Sequence, residues 1–343
     1  MPVDVNEIEV IAPNLKRRLS GVTTTVVRLV PVQAGMIGIA VTGPGLPASL
    51  PHLPLWRLPL LPRDRWRVWH ARRNNEMLLG LALRGIFRRR LKLLFTSAAQ
   101  RHHKGFTRWM IRRMDAVVAT SDKAASYLRR PSTVVMHGVD TTVFHPPADR
   151  AALRRRLGLP EGVLLGCFGR IRAQKGVDLL VDAALALMPS RPDLSLIFTG
   201  RVTEDNRAFH EAQLARIRAA GLEGRIRFLG ELPWEQVVEH YQALDLFVAP
   251  ARWEGFGLTP LEAMACGLPV VAARVGAFET LVPPQVGSLV PPGDAEALAR
   301  ALAGWIDDPA RRAAADPRAH VIAHHDIRDE ARALVGIYRR MLA

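Results

Sequence analysis

The feature that most restricts the fold of this chain is a regular alternation of short apolar runs and helical patterns in its second half. The runs have the length and the Val, Ile, Leu and Phe content of buried strands. Strands that alternate with helices in this way predict a parallel sheet covered by helices on both faces. The predicted strands are Val163–Phe168, Leu194–Thr199, Ile226–Leu229, Leu246–Ala249 and Val270–Ala272, and the predicted helices are Val177–Met188, Arg207–Ala220, Trp234–Ala243 and Pro260–Cys266.

The first half of the chain shows the same alternation less clearly. A proline-rich stretch at Leu46–Pro62 interrupts it and predicts irregular backbone. The predicted strands there are Glu7–Ala12, Met36–Thr42, Leu91–Thr96, Ala116–Ala119 and Val134–Met136, and the predicted helices are Val22–Val32 and Lys123–Leu128.

The length of 343 residues suits two domains of ordinary size. The best position for a boundary is His145-Pro146-Pro147, after the last predicted strand of the first half. We therefore expect an N-terminal domain at residues 1–145 and a C-terminal domain at 146–325. Residues 326–343 are expected to form an amphipathic terminal helix.

Positive charge is concentrated in the first half. Residues 1–148 contain 23 Lys and Arg against 8 Asp and Glu, so they hold the entire net charge of +15. Much of it lies in Arg84–Lys92 and Arg101–Arg113, where large apolar side chains are interleaved. This pattern is typical of a basic amphipathic surface that meets anionic lipid headgroups, and a solvated basic face is the alternative. No RNP-type strand, Gly-x-x-Gly clamp or zinc-ligand spacing is present, so no nucleic-acid partner is expected.

Composition excludes several other classes. An apolar fraction of 49% can build two cores, which excludes a disordered chain. The start of the chain has no basic region followed by an apolar run, and no apolar run approaches the ~18 residues that span a bilayer. We expect a cytoplasmic protein, at most peripheral on the inner face of the cytoplasmic membrane. Cys167 and Cys266 lie in apolar contexts and are predicted to be buried free thiols.

Two carboxylates frame a glycine-containing segment, Glu254-Gly-Phe-Gly-Leu-Thr-Pro-Leu-Glu262. The segment follows an apolar strand and leads into a helix, where Pro260 suits the first turn because its missing N–H costs nothing there. The glycines let the backbone approach a ligand closely, and N–H groups near a helix start suit a diphosphate. We expect each carboxylate to accept hydrogen bonds from sugar hydroxyls. The alternative is a capped helix with solvated glutamates.

A second candidate segment, Gly169-Arg-Ile-Arg-Ala-Gln-Lys-Gly176, directly follows a predicted strand. A strand, a loop with cations and glycines, and then a helix form an anion-binding arrangement. The spacing differs from that of a Walker A loop. Arg170 and Lys175 are predicted to neutralise a diphosphate, and a plain surface loop is the alternative.

At these residues the chain resembles the group 1 (family 4) glycosyltransferases, retaining enzymes of the GT-B fold. The resemblance is dense over residues 130–305. It includes Ala265-Cys-Gly-Leu-Pro-Val-Val271, Gly276–Glu279, Gly287–Gly293 and His137-Gly-Val-Asp140, where His137 replaces the usual Asn. Upstream, Ser20-Gly21-Val22-Thr23 stands where relatives often have two glycines. The resemblance implies two Rossmann-like parallel-sheet domains that face a cleft, with the C-terminal helix crossing back to the first domain.

The same resemblance implies roles for individual residues. Glu254 would contact hydroxyls of the transferred hexose, while Arg170 and Lys175 would stabilise the departing diphosphate, and these three are the expected catalytic residues. From their own position, just after the predicted strand that ends at Thr96, His102 and His103 are expected to contact the donor hexose or an acidic acceptor, and membership of the basic surface alone is the alternative. Donor-binding positions are expected at Gly21, Gly138, Gly169, Phe256, Gly257, Leu258 and Glu262, with Glu262 at the nucleotide ribose.

Two further stretches, Asn14–Val26 and Ser97–His103, are similar to lipopolysaccharide core mannosyltransferases of α-proteobacteria. This narrower resemblance implies GDP-mannose as the donor and a Kdo-containing, anionic lipid-linked glycan as the acceptor, bound by the basic N-terminal domain. A UDP-sugar transferred to another cell-envelope glycan or glycolipid is the alternative. Three alternatives belong to other functional classes. They are a nucleotide-sugar epimerase, a nucleic-acid-binding protein and a glycan-binding protein without catalysis.

No metal cofactor is expected, because no Asp-x-Asp occurs and Arg170 and Lys175 can carry the charge. Retention by double displacement needs a carboxylate directly beneath the anomeric carbon. The family resemblance instead implies same-face attack, in which the leaving phosphate takes the proton of the acceptor. The triplet His324-His325-Asp326 matches no common metal-ligand spacing and is predicted to lie on a surface helix or loop.

Overall fold

The computed structural model describes residues 4–17 and 21–343. The chain divides into two compact units, one formed by residues up to Gly138 together with Ile327–Ala343, and the other by Val139–Asp326. The boundary between the two units after Gly138 therefore lies upstream of the one predicted after residue 145. Ser20, which the sequence pairs with Gly21 in one motif, lies outside the described residues.

The first unit is built on one parallel six-stranded sheet. Its strands are β1 (Val10–Pro13), β2 (Ile39–Thr42), β3 (Arg67–Ala71), β4 (Leu91–Ser97), β5 (Ala116–Ala119) and β6 (Thr133–Val134), and its helices include α1 (Gly21–Ala34), α2 (Asn74–Gly85), α3 (Gly105–Ile111) and α4 (Asp122–Ser126). The strand order is β2-β1-β3-β4-β5-β6. The proline-rich stretch is irregular as predicted, apart from a short 3-10 helix at Leu55–Leu60.

Strand β3 and helix α2 were not predicted from the sequence. β3 lies inside the sheet between β1 and β4, although it contains Arg67 and His70. Both side chains are 1% exposed, and both have partners. The Arg67 guanidinium donates to the carbonyl oxygens of Ile8 (3.0 Å) and Pro62 (2.9 Å). Satisfied in this way, polar side chains are tolerated in a core strand.

The second unit contains the other parallel sheet. Its strands are β7 (Val163–Phe168), β8 (Leu194–Thr199), β9 (Ile226–Phe228), β10 (Leu246–Ala249), β11 (Val270–Ala273) and β12 (Gly287–Val290). Its helices are α5 (Arg150–Leu157), α6 (Val177–Leu187), α7 (Arg207–Ala219), α8 (Trp234–Ala243), α9 (Thr259–Ala265), α10 (Phe278–Leu281), α11 (Ala295–Ile306), α12 (Pro309–Ala314) and α13 (Pro317–His324). The strand order is β12-β11-β10-β7-β8-β9. All five strands predicted for this half are present, and β12 adds a sixth.

The last helix, α14 (Ile327–Leu342), belongs to the first unit and packs against α1 and β3. This confirms the predicted return of the C-terminal helix to the first domain. Its apolar face is buried, and its Glu330 carboxylate accepts hydrogen bonds from the Gly138 N–H (2.8 Å) and contacts Nδ1 of His137 (2.8 Å). The Tyr338 hydroxyl lies 2.7 Å from Nδ1 of His70. Polar contacts therefore supplement the apolar packing that holds α14.

The prediction for His324-His325-Asp326 was wrong in part. His325 and Asp326 are buried, with exposed fractions of 6% and 5%. The His325 carbonyl accepts from the Val139 N–H (2.9 Å), and the Asp326 carboxylate accepts from the Thr141 hydroxyl (2.8 Å). The segment is buried because it pairs with the chain where the second unit begins, a contact between distant residues that local sequence does not indicate.

Candidate functional site

A pocket in the second unit lies at the carboxyl ends of β7 and β10. These two strands are neighbours, and from them the sheet continues through β8 and β9 on one side and through β11 and β12 on the other. Such a reversal of strand order is a topological switch point, where open α/β sheets bind their ligands. The pocket is lined by Cys167, Phe168, Gly169, Arg170, Ile171, Lys175, Val177, Val248, Ala249, Pro250, Ala251, Glu254, Thr259 and Phe278.

The pocket brings together residues from both sequence motifs. Gly169, Arg170 and Lys175 come from the segment after β7, and Glu254 comes from the segment after β10. The Lys175 ammonium forms an ion pair with the Glu254 carboxylate. The two side chains are only 22% and 18% exposed, so they attract each other more strongly than a solvent-exposed pair does. The expected catalytic residues thus line one pocket.

Arg252 ties the two motif segments together. Its backbone N–H donates to the Gln174 carbonyl (2.9 Å), and its guanidinium donates to the Ala173 carbonyl (2.6 Å). The same guanidinium binds both oxygens of Asp178 on α6, at 2.7 and 2.8 Å. A bidentate Arg–carboxylate pair fixes orientation as well as distance. Arg252 therefore holds the loop that ends in Lys175 next to the loop that contains Glu254, a role that the sequence motifs did not indicate.

Two glycines are required for these loops to approach. Gly176 has φ +71°, and a Cβ there would lie 2.0 Å from the Pro250 carbonyl oxygen. Gly257 has φ +90°, and a Cβ there would lie 2.2 Å from the Phe278 ring. Any other residue would strain the backbone and push the segments apart. The glycines of both motifs therefore serve close packing, in addition to any contact with a ligand.

Glu262 lies on α9 and is 6% exposed. The hydroxyl of Tyr241, a fully buried residue on α8, donates to its Oε2 at 2.7 Å. Aromatic neighbours fix the Tyr241 ring, with Phe168 at 4.5 Å and Phe247 at 5.3 Å between ring centroids. The carboxylate is therefore held in one orientation by a partner outside the motif. Glu262 is not among the residues that line the pocket between β7 and β10.

Other groups near the pocket limit its chemistry. Burial raises the pKa of the Cys167 thiol to about 12, and nearby Lys175 opposes this only partly. The thiol is therefore protonated near neutral pH and a poor nucleophile. Cys266 is likewise a buried free thiol, as predicted. Within residues 4–17 and 21–343, no group of three or more His, Cys, Asp or Glu side chains could hold a metal ion.

The remaining predicted donor-binding positions have diverse surroundings. Phe256 is 5% exposed, and Leu258 directly precedes α9. Gly21 begins α1 in the first unit, and a Cβ there would meet no heavy atom within 4 Å. The N–H of Gly138 is already bonded to Glu330, so a donor contact at Gly138 would have to use another atom.

His102 and His103 lie in the first unit after β4. Nε2 of His103 is 3.2 Å from the Ser97 hydroxyl at the end of that strand, and the His102 ring contacts Tyr127 edge-on at 5.2 Å. Burial, with the charges of Arg101 and His102, lowers the pKa of His103. Both histidines line a pocket of the first unit, which accords with a ligand contact as well as with the basic surface.

Comparison with known proteins identifies a family to which most of the second unit is similar. The family described as "Glycosyl transferases group 1" matches residues 149–321. The chain is 49% identical over 353 residues to the lipopolysaccharide core biosynthesis mannosyltransferase LpsB of Rhizobium meliloti (strain 1021), covering 99% of each chain. It is 50% identical over 349 residues to the lipopolysaccharide core biosynthesis mannosyltransferase LpcC of Rhizobium leguminosarum bv. viciae, covering 99% of this chain and 98% of the relative.

Solved structures share the architecture. The crystal structure of Anabaena Alr3699/HepE in complex with UDP and glucose aligns with a TM-score of 0.83 at 20% identity, covering 97% of this chain and 100% of that one. Sucrose-phosphate synthase (tll1590) from Thermosynechococcus elongatus aligns with a TM-score of 0.79 at 22% identity, covering 97% and 98%. At these identities the likeness concerns the fold alone. It confirms the predicted GT-B class with two parallel sheets, each of which has six strands in this structure.

Proposed function

Because the chain belongs to the group 1 glycosyltransferases, we propose that it transfers mannose from GDP-mannose to a Kdo-containing, anionic lipid-linked core glycan. The observation that carries this proposal is the pocket at the switch point of the second sheet, where Lys175 pairs with Glu254 beside Arg170. Mannose and the lipopolysaccharide core are supported by the names of the two relatives that match nearly the whole chain.

The donor diphosphate binds at the cationic side of the pocket in this proposal. Arg170 and Lys175 both line it, and the preceding glycine leaves the backbone accessible. Lys175 shares its ammonium group between Glu254 and a phosphate oxygen once the donor is bound. Charge that develops on the departing diphosphate is then met by groups already held in place, which is the most effective form of electrostatic catalysis.

The sugar and the ribose are assigned to the two carboxylates. Glu254 accepts hydrogen bonds from hexose hydroxyls, and its pairing with Lys175 fixes its orientation. Glu262 accepts from the ribose while Tyr241 holds its Oε2. Hydrogen bonds to ionised acceptors are roughly twice as strong as neutral ones, so both contacts contribute to orientation as well as affinity.

The transfer step proceeds on one face of the sugar with retention of configuration. The acceptor hydroxyl oxygen bonds to the anomeric carbon as the bond from that carbon to the diphosphate oxygen breaks. The hydroxyl proton passes to the departing phosphate oxygen, so the products are the mannosylated acceptor and GDP. Glu254 forms an ion pair with Lys175. A carboxylate held in this way is better suited to orienting the sugar than to attacking the anomeric carbon as a nucleophile. No step in this scheme uses a metal ion.

The first unit is assigned to the acceptor and to contact with the membrane surface. In the described chain, no helix has the length and apolarity needed to cross a bilayer. The first unit nevertheless exposes large apolar side chains between cationic ones, with Lys92 lying 5.0 Å from the Trp66 ring. This combination suits the interface of an anionic membrane. The exposed side chains are Leu55, Trp56, Leu60, Trp66, Leu78, Ile86, Phe87, Phe106 and Trp109.

A transfer assay tests the proposal. Purified protein is incubated with the Kdo-containing lipid-linked core and, separately, with GDP-mannose, UDP-glucose, UDP-N-acetylglucosamine or ADP-glucose, and the glycolipid is analysed by mass spectrometry. We expect addition of one hexose with GDP-mannose alone, and an α-linked product by NMR, since GDP-mannose is α-linked. Transfer from a UDP-sugar instead of GDP-mannose would contradict the assignment of mannose as the transferred sugar. A product of inverted configuration would contradict the same-face mechanism.

A further inference from the structure

A second pocket lies within the first unit and has a different character. It is an open pocket with a cavity volume of about 260 Å³ between helix α3 and the segment that follows α4. That volume is slightly below the range of complete small-molecule sites, about 300–1,000 Å³, and suits one group of a larger ligand. The lining residues are His102, His103, Arg108, Ile111, Arg112, Tyr127, Leu128, Arg129 and Arg130.

The pocket concentrates positive charge without a balancing carboxylate. Four of its nine lining residues are arginines, and none is acidic. Arg130 donates to the carbonyl oxygens of Ile111 (2.8 Å) and Met114 (3.0 Å). The guanidinium groups of Arg108, Arg112 and Arg129 have no hydrogen-bond or ion-pair partner among residues 4–17 and 21–343. Cations that converge without partners repel one another, and an anion between them removes that cost.

The walls of the pocket are fixed to each other. The bonds from Arg130 tie the segment after α4 to the end of α3. At the other end, His102 packs on Tyr127 and His103 contacts Ser97 at the carboxyl end of β4. The segments that form the pocket therefore keep a fixed spacing, so binding of a ligand has to order only the arginine side chains.

An exposed apolar surface lies on the same helix. The Phe106 and Trp109 rings of α3 stack at 5.7 Å between centroids and are 58% and 37% exposed. Arg108 on the same helix faces the pocket. Helix α3 thus presents aromatic side chains to solvent and Arg108 to the pocket, with Arg112 at its C-terminal end. This is the pairing that a ligand with both an acidic group and a lipid part requires.

We propose that this pocket binds an acid group of the lipid-linked acceptor, a sugar carboxylate or a phosphate, through Arg108, Arg112 and Arg129. The assignment rests on the proposed function for the acceptor, but not on the identity of the donor. Guanidinium groups bind both acids in a planar, two-pronged geometry, which gives orientation as well as affinity. The pocket therefore anchors the acceptor and takes no part in the chemical step.

Substitution of single arginines tests the proposal. Arg112→Ala and Arg129→Ala should each raise the acceptor KM by at least about tenfold, which corresponds to about 1.4 kcal/mol, close to the lower end of what a charge-assisted bond contributes. The donor KM and kcat should stay within about twofold of wild type, because the pocket does not act on the donor. Arg340→Ala on α14 removes the same charge from an exposed site of the same unit and should change nothing. Equal acceptor KM values in all three variants would overturn the proposal.

Modified acceptors identify the anion. If the ligand is a carboxylate, methyl esterification of the sugar acids should raise the wild-type KM and abolish the difference between wild type and Arg112→Ala. If it is a phosphate, phosphatase treatment should do so instead. A difference that survives both treatments would overturn the proposal.

Equilibrium binding separates this proposal from the proposed function. Binding of the Kdo-containing glycolipid in detergent is measured without any donor. If no sugar is transferred, yet wild type and Arg340→Ala bind the glycolipid about tenfold more tightly than Arg112→Ala and Arg129→Ala, the proposed function fails and the pocket assignment stands. Transfer with equal binding by all variants, or no binding by wild type, would refute the pocket assignment.

Discussion

Replacing Lys175 with alanine tests the proposed role of its ammonium group and also removes the cation that faces Glu254. The carboxylate that remains is only 18% exposed. A partly buried charge that loses its partner costs about 1–2 kcal/mol. For a unit of this size, each kcal/mol lowers Tm by about 2–4 °C. We therefore expect Lys175→Ala to remain folded, with a Tm lower by roughly 2–8 °C.

The effect on catalysis should be much larger than the effect on stability. Loss of one preorganised group that stabilises developing charge typically lowers kcat by about 10²–10³. Initial rates at saturating GDP-mannose, well below the Tm of both proteins, measure this directly. Arg156→Ala is the matched control, because Arg156 pairs with Glu239 in an exposed ion pair of the same unit, with side chains 59% and 33% exposed. Such a pair contributes at most about 1 kcal/mol, so Arg156→Ala should keep its rate.

Three results would refute this reasoning. A kcat for Lys175→Ala within about threefold of wild type would remove the proposed role in stabilising the diphosphate. A similar loss in Arg156→Ala would point to a general effect of charge or stability. Recovery of the rate when Glu254→Gln is added to Lys175→Ala would assign the defect to the unpaired carboxylate instead.

Three further perturbations address the ribose contact, the charge of the site and a buried histidine. Glu262→Gln keeps an oxygen acceptor for Tyr241 but loses the carboxylate charge, so the donor KM should rise about tenfold. An unchanged donor KM in steady-state assays would show that Glu262 does not contact the donor. Transfer should continue in EDTA, because Arg170 and Lys175 carry the charge, and loss of turnover that a divalent cation restores would contradict this. Burial, with His320 and His324, lowers the pKa of His325 to about 4, below the unfolded value of about 6.5. The unfolded chain therefore takes up this proton first as the pH falls. Neutral, buried His325 therefore adds up to about 3 kcal/mol to the free energy of unfolding. This contribution is complete above about pH 6.5 and is lost as the pH falls towards 4. His325→Gln should flatten this dependence in urea titrations, and the same slope in both proteins would contradict the assignment.

The second half of the fold was predictable because its signals are local. Each buried strand there is a short apolar run, and each following helix has a clear period, so parallel topology follows from the alternation. The five predicted strands match the structure within one or two residues. β12 was not predicted as a strand, because it begins at Gly287 and pairs only with β11 at the edge of the sheet.

β3 shows why the first half was harder to predict. Its Arg67 and His70 interrupt the apolar pattern that identifies a buried strand. Their burial depends on partners far away in the sequence, such as Ile8 for Arg67 and Tyr338 for His70. Hydrophobic periodicity depends only on neighbouring residues. It therefore does not indicate that a polar side chain can be buried because distant residues form hydrogen bonds with it.

The candidate site divides in the same way. Gly169, Lys175 and Glu254 were predictable, since strand ends, glycines and charged residues at fixed spacing are local features. Arg252 and Tyr241 were not predicted, although the first joins the two loops and the second orients Glu262. Tyr241 lies in a helix with an ordinary apolar face, and only packing shows that its hydroxyl points at a carboxylate. Residues that position other residues leave no signal of their own in a single sequence.

The central claim is that the switch-point pocket of the second unit is a GDP-mannose site built around Lys175 and Glu254. Calorimetric titration of the purified protein with GDP-mannose and with UDP-glucose tests this claim most directly. We predict saturable binding of GDP-mannose, at least about tenfold tighter than that of UDP-glucose and weakened by Lys175→Ala. Preferential binding of UDP-glucose, or GDP-mannose binding that Lys175→Ala leaves unchanged, would contradict the claim.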